Sequence, residues 1–136
     1  MLLYPKKIKY KKIRKGTLKK FNYKTFKVKF GSIGLKSLES GVISARNIEA
    51  ARQSISRKVK RKGKLWTRIF PHTPITVKSL GARMGKGKGS FQNWSIKVKG
   101  GTMLFELCGI PANVAIKAFQ TGGAKLPVKT VVTFYV

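Results

Sequence analysis

Only Glu39, Glu49 and Glu106 are acidic in a chain that carries 31 lysines and arginines and a formal net charge of +28. Such a chain cannot neutralise itself with internal ion pairs. Its compact state repels itself unless a polyanion supplies the missing negative charge. A folded protein of this mass, 15.2 kDa, exposes roughly 7,100 Å², or about one uncompensated positive charge per 250 Å². The apolar fraction of 42% still suffices for a core, so the chain is not simply a disordered basic tail. Its 136 residues imply one domain.

Several classes of function fall away. No apolar run approaches the ~18 residues of a membrane span, so no membrane partner is expected. Cys108 is the only cysteine, which leaves no disulfide partner and no cysteine-rich zinc site; it is expected as a small buried hydrophobe in a strand. His72 is the only histidine and stands between Pro71 and Pro74, in what reads as a loop. The three glutamates fall on separate elements. They offer no paired carboxylates for acid–base work and no ligand set for a metal. The expectation is a non-enzyme with no catalytic residue, metal or other cofactor.

Residues 1–20 hold nine of the basic residues and no acid, interleaved with Tyr4, Ile8, Tyr10 and Ile13. A solvated tail needs no such interleaving, so residues 1–22 are read as an arm that threads into RNA. Residues 23–136 are read as one globular domain with a protruding loop at 79–90. The alternation of Phe26, Val28 and Phe30 with Lys27 and Lys29 predicts a half-buried strand over 23–30. "GSIGLKSLESG" reads as a connection.

The strongest helix signal spans 44–63. Ser44 is its expected N-cap and Gly63 its expected stop. Ile48, Ala51, Ile55 and Val59 form one apolar stripe at helical spacing. Arg46, Arg57, Lys60 and Arg61 lie opposite, with no acidic i,i+4 partner. Strands are predicted at 64–70, ended by Pro71 and Pro74, and over "ITVKS". Two more, at 94–99 and 102–108, are joined through "KGGT" as a hairpin. A second helix over 111–120 is expected to stop near Gln120, at Gly122 and Gly123, since glycine costs about 1 kcal/mol relative to alanine in a helix. A closing strand covers 127–136. The order gives an α+β class: a compact two-layer sandwich of antiparallel or mixed strands with two helices.

"GARMGKGKGS", residues 81–90, fails the known phosphate-loop patterns. Neither Gly-Lys pair is followed by Ser or Thr, and no G-x-G-x-x-G spacing is present. The loop instead offers bare backbone amides and three long cations, Arg83, Lys86 and Lys88. Such groups suit phosphate oxygens and base faces. The chain is basic on its arm, its helix and its loop together, which fits burial in folded RNA; DNA compaction is the alternative.

Along nearly its whole length the chain resembles the bacterial-type ribosomal protein sixteen of the large subunit. The strings that carry the resemblance are "YPKKIKYKKIRKG", "FGSIGLKSLESG", "ARNIEAARQSISRKVKRKGKLW", "RIFPHTPIT", "RMGKGKGS", "LFELCGIP" and "AKLPVKT". The resemblance implies a structural protein on the A-site side of the large subunit, near the peptidyl-transferase centre. Its implied partners are large-subunit rRNA, A-site tRNA and neighbouring ribosomal proteins. The candidate rRNA contacts are the basic residues of the arm, Lys6, Lys7, Lys11, Lys12 and Arg14, and of the helix, Arg57, Lys60 and Arg61, with Lys86 and Lys88 as further candidate phosphate contacts. The resemblance implies that Arg83, Met84, Gly85, Lys86, Gly87 and Lys88 lie in a loop that faces tRNA. Two departures stand out: His72 where the family often has an acid, and Gly122–Gly123 where it is alanine-rich. The opening "LYPKKIKYKK" and the lysine-rich, acid-poor composition resemble a mitochondrially encoded version without a cleaved presequence; a plastid or bacterial ribosome is the alternative.

Overall fold

The computed structural model describes residues 3–18 and 21–135. In chain order its elements are β1 (Ile33–Ser37), β2 (Gly41–Ser44), α1 (Ala45–Lys58), β3 (Lys64–Thr67), β4 (Thr73–Val77), β5 (Ser90–Val98), β6 (Met103–Cys108), α2 (Ala112–Gly123) and β7 (Thr130–Phe134). One sheet has the order β3-β6-β1-β7 and the other β2-β5-β4, with every pairing antiparallel. This is the α+β class expected, with both helices present.

The core forms where the helices meet the sheets. Ile48, Ala51 and Ile55 of α1 and Ala115, Ala118 and Phe119 of α2 are fully buried with Leu35, Ile43, Phe105 and Leu107. Leu3 joins this cluster, so the basic N-terminal segment begins anchored, while Lys6 to Thr17 are exposed. The accessible surface, 9546 Å², exceeds the roughly 7,100 Å² of a compact protein of this mass, because this segment and the 78–89 loop stand away from the core.

The four-stranded sheet reverses one reading of the sequence. β1, taken as a connection, is a central strand flanked by β6 and β7. Its "IGLKS" is buried almost throughout, so it lacks the alternation that marks a half-exposed strand. Conversely, residues 23–30 alternate but form no strand. Val28 is buried while Phe26 and Phe30 are exposed. The backbone groups of this segment are claimed by other partners. Lys24 N–H donates to Asn22 Oδ1, Thr25 C=O accepts from Met103 N–H, and the N–H groups of Lys29 and Phe30 go to a carboxylate described below.

The expected hairpin of 94–99 with 102–108 is also corrected. The Gly100–Gly101 turn carries the chain from β5 in one sheet to β6 in the other. Gly101 has φ +85, a left-handed conformation that favours glycine, and its N–H donates to Ser37 C=O at 2.7 Å. The hairpin partner of β5 is β4, with Val77 opposite Ser90. The glycine-rich loop is therefore a hairpin tip. Pro74 does not end a strand; it lies inside β4, which is an edge strand, where a missing N–H can face outward.

Both helix ends differ from expectation. Ser44 caps α1 as anticipated, accepting from Asn47 N–H. The helix ends at Lys58 rather than Gly63. Lys60 N–H donates to Arg57 C=O and Arg61 N–H to Ser56 C=O, the bond pair of a Schellman motif. Lys60 (φ 53) and Arg61 (φ 60) hold the left-handed positions. α2 runs through Gly122 and Gly123 instead of stopping near Gln120. A Cβ on Gly122 would collide with Ile55 of α1, and one on Gly123 would press on Thr130 Oγ1. Close packing on these faces requires the absence of side chains. Cys108, at the end of β6, is exposed rather than buried.

Candidate nucleic-acid interface

Each acid is engaged by one cation. Glu49 pairs with Arg52 at 2.6 Å, Glu39 with Lys129 at 3.2 Å, and Glu106 with Arg68. The Arg52 hydrogen bond holds the Glu49 carboxyl below its ordinary range and raises Arg52 in turn. No other cation among the described residues has a carboxylate partner.

The predicted contact residues occupy three surfaces. Lys6, Lys7, Lys11, Lys12 and Arg14 are exposed along the N-terminal segment. Arg57, Lys60 and Arg61 are exposed at the C-terminal end of α1, where the helix dipole favours cations. The left-handed turn distributes them. Arg57, Lys58 and Lys60 line one groove with Lys125, while Arg61 and Lys62 line another with Arg52 and Trp66.

The third surface is the β4–β5 hairpin tip. Arg83, Met84, Gly85, Lys86, Gly87 and Lys88 are all exposed, Met84 to 98%. Gly85 (φ +92) and Gly87 (φ +77) have nothing of this chain within 4 Å of a would-be Cβ. They serve a backbone path rather than internal packing. Lys78 Nζ donates to Gly85 C=O at 2.6 Å and fixes the curl. The loop and the N-terminal segment meet: Lys12 Nζ donates to Lys88 C=O at 3.0 Å, and Lys88 Nζ donates to Ile13 C=O.

One functional group escaped sequence reasoning. Glu106 is fully buried. Its Oε2 accepts the backbone N–H groups of Lys29 (3.1 Å), Phe30 (2.6 Å) and Gly31 (2.9 Å), and Oε1 accepts from Arg68 Nη1. Burial opposes its ionisation. The amides of Phe30, Gly31 and Lys29, with the Arg68 charge, outweigh that and hold the carboxyl below its ordinary value. The available signal was a lone acid inside the apolar run "MLFELC". Around this anchor the Arg68 guanidinium lies 4.7 Å from the Phe30 ring centroid, Phe30 stacks beside Trp66, and Lys64 Nζ stands 5.2 Å from the Trp66 centroid.

This arrangement presents exposed cations and aromatic ring faces. Among the described residues no group of three or more His, Cys, Asp or Glu side chains could hold a metal. No helix there is long and apolar enough to cross a membrane.

Comparison with known proteins gives a consistent picture. The family model "Ribosomal protein L16p/L10e" matches residues 5–133. The chain is 49% identical over 129 residues to large ribosomal subunit protein uL16 of Maricaulis maris, which covers 95% of this chain and 94% of that protein. The identity and coverages are the same for uL16 of Borrelia hermsii. For uL16 of Erythrobacter litoralis the identity is again 49%, over 95% of this chain and 90% of that protein.

Proposed function

Since the chain belongs to the ribosomal protein L16p/L10e family, we propose that it is held in the large ribosomal subunit by rRNA and helps to place A-site tRNA near the peptidyl-transferase centre. It is a structural large-subunit protein and not an enzyme. The observation that carries the rRNA reading is the complete engagement of its three acids by three cations. The remaining positive charge has only an outside polyanion to meet.

In this reading Lys6, Lys7, Lys11, Lys12 and Arg14 lie along rRNA backbone, and Arg57, Lys60 and Arg61 grip a second stretch. The loop residues Arg83 to Lys88 reach towards tRNA. The empty surroundings of Gly85 and Gly87 support that assignment, because their conformations serve no contact within the chain. Neighbouring ribosomal proteins complete the site. A DNA-compacting role finds no support in the family assignment.

We further propose a mitochondrial ribosome, on the resemblance of the opening "LYPKKIKYKK" and of the lysine-rich, acid-poor composition to a mitochondrially encoded version. The relatives named above are bacterial, so a bacterial or plastid ribosome is the alternative that organelle fractionation decides.

The test is filter binding to a large-subunit rRNA transcript across a salt series. Ten phosphate contacts, the eight residues above together with Lys86 and Lys88, predict a slope of log K on log[salt] of roughly −7 to −9. A slope near −2, or absence of the protein from large-subunit particles on a sucrose gradient, overturns the reading.

A further inference from the structure

The row Lys64–Trp66–Phe30–Arg68 supplies none of the phosphate-gripping side chains above, although Trp66 borders the groove of Arg61 and Lys62. Phe30 is an aromatic residue with 57% of its surface exposed, in a protein whose core has room for Phe105 and Phe119. Its ring lies within 23° of parallel to that of Trp66, with centroids 6.3 Å apart. Face-on contact needs a far shorter separation, so the pair is laterally offset and leaves ring area of both residues uncovered. Cations flank the pair at both ends, Arg68 over Phe30 and Lys64 over Trp66. Lys29 is exposed beside Phe30.

The row is also rigidly mounted. The buried Glu106 carboxylate holds both the Phe30 N–H and the Arg68 guanidinium. Trp66 sits on β3, in register opposite Glu106 on β6. One of the chain's three acids thus sets the position of a partly exposed aromatic pair. An apolar peptide would gain from the rings but not from the surrounding cations. A nucleotide uses both, because its base has a π-face and its phosphate a charge.

We propose that Phe30 and Trp66 form a stacking platform for an unpaired rRNA base, whose phosphate is met by Lys64 or Lys29. This rests on the rRNA-binding reading and adds to it a contact made through a base rather than through backbone charge.

The test uses the full chain and a large-subunit rRNA transcript. Phe30→Leu keeps the backbone N–H that Glu106 holds and keeps an apolar side chain, but removes the π-face. It is expected to weaken binding roughly tenfold with the salt slope unchanged, and Phe30→Tyr to restore affinity. Lys64→Gln should instead lower the slope by about 0.7 to 0.9. In a Trp94→Phe background, RNA should quench the emission of Trp66. If the wild type binds rRNA but Phe30→Leu binds as tightly and Trp66 is not quenched, the platform is overturned while the rRNA reading stands. If the wild type fails to bind rRNA, that reading falls, and the platform with it.

Discussion

The Arg68 guanidinium donates to one oxygen of the Glu106 carboxylate, and the other oxygen is held by three successive backbone amides. The pair ties β6 to the end of β3 and to the chain entering β1. Because the carboxyl is held below its ordinary value, its contribution is fully present above about pH 4.3, the ordinary glutamate value. It is lost as pH falls through the lower, folded-state value. Thermal unfolding followed from pH 7 to pH 2 should show this acid limb. Glu106→Gln should flatten the limb and destabilise the protein at pH 7 by about 3 kcal/mol, since it strands Arg68.

Gly122→Ala separates helix propensity from packing. Propensity alone favours alanine by about 1 kcal/mol. The collision with Ile55 opposes it with an overpacking cost of roughly 1–3 kcal/mol. The melting temperature should therefore fall, and Ile55→Val should recover part of the loss in a double-mutant cycle.

These two sites also explain what was legible in the sequence. The α1 stripe and its Ser44 cap could be read because they are local: one periodicity and one hydroxyl suffice. Gly122 and Gly123 were misread because the surface that needs them lies on α1 and β7. Residues 23–30 alternate as a strand does, but a distant carboxylate takes the amides that a ladder would need. β1 was hidden for the reverse reason, since a strand buried on both faces has no polar alternation to display. The candidate contact residues could be named because lysines and arginines announce themselves by composition. Glu106 acts only through partners 38 and 75 to 77 positions away.

Lys60 occupies the left-handed position of a Schellman motif, where glycine is usual. Lys60→Gly should relieve about 1 kcal/mol of backbone strain and raise the melting temperature. The same change removes one of the proposed phosphate contacts, so rRNA affinity should fall as stability rises. Lys60→Ala combined with Arg61→Ala should impair incorporation into subunits, measured by sedimentation. Normal incorporation of that double variant removes the α1 end from the interface.

Arg83→Ala alters a side chain that is exposed on the hairpin tip. Particles carrying it should assemble normally and sediment as wild type, but accommodate A-site tRNA more slowly in a stopped-flow assay. A variant that never enters particles would mark the tip as an assembly element instead.

The crossed lysines at the hairpin tip carry a consequence of their own. Lys12 and Lys88 each donate one ammonium N–H to the other segment's backbone, which leaves two further donors on each for an outside phosphate. The N-terminal segment and the hairpin tip are thus latched side by side, so their cations face an outside polyanion as one surface rather than as two separate ones.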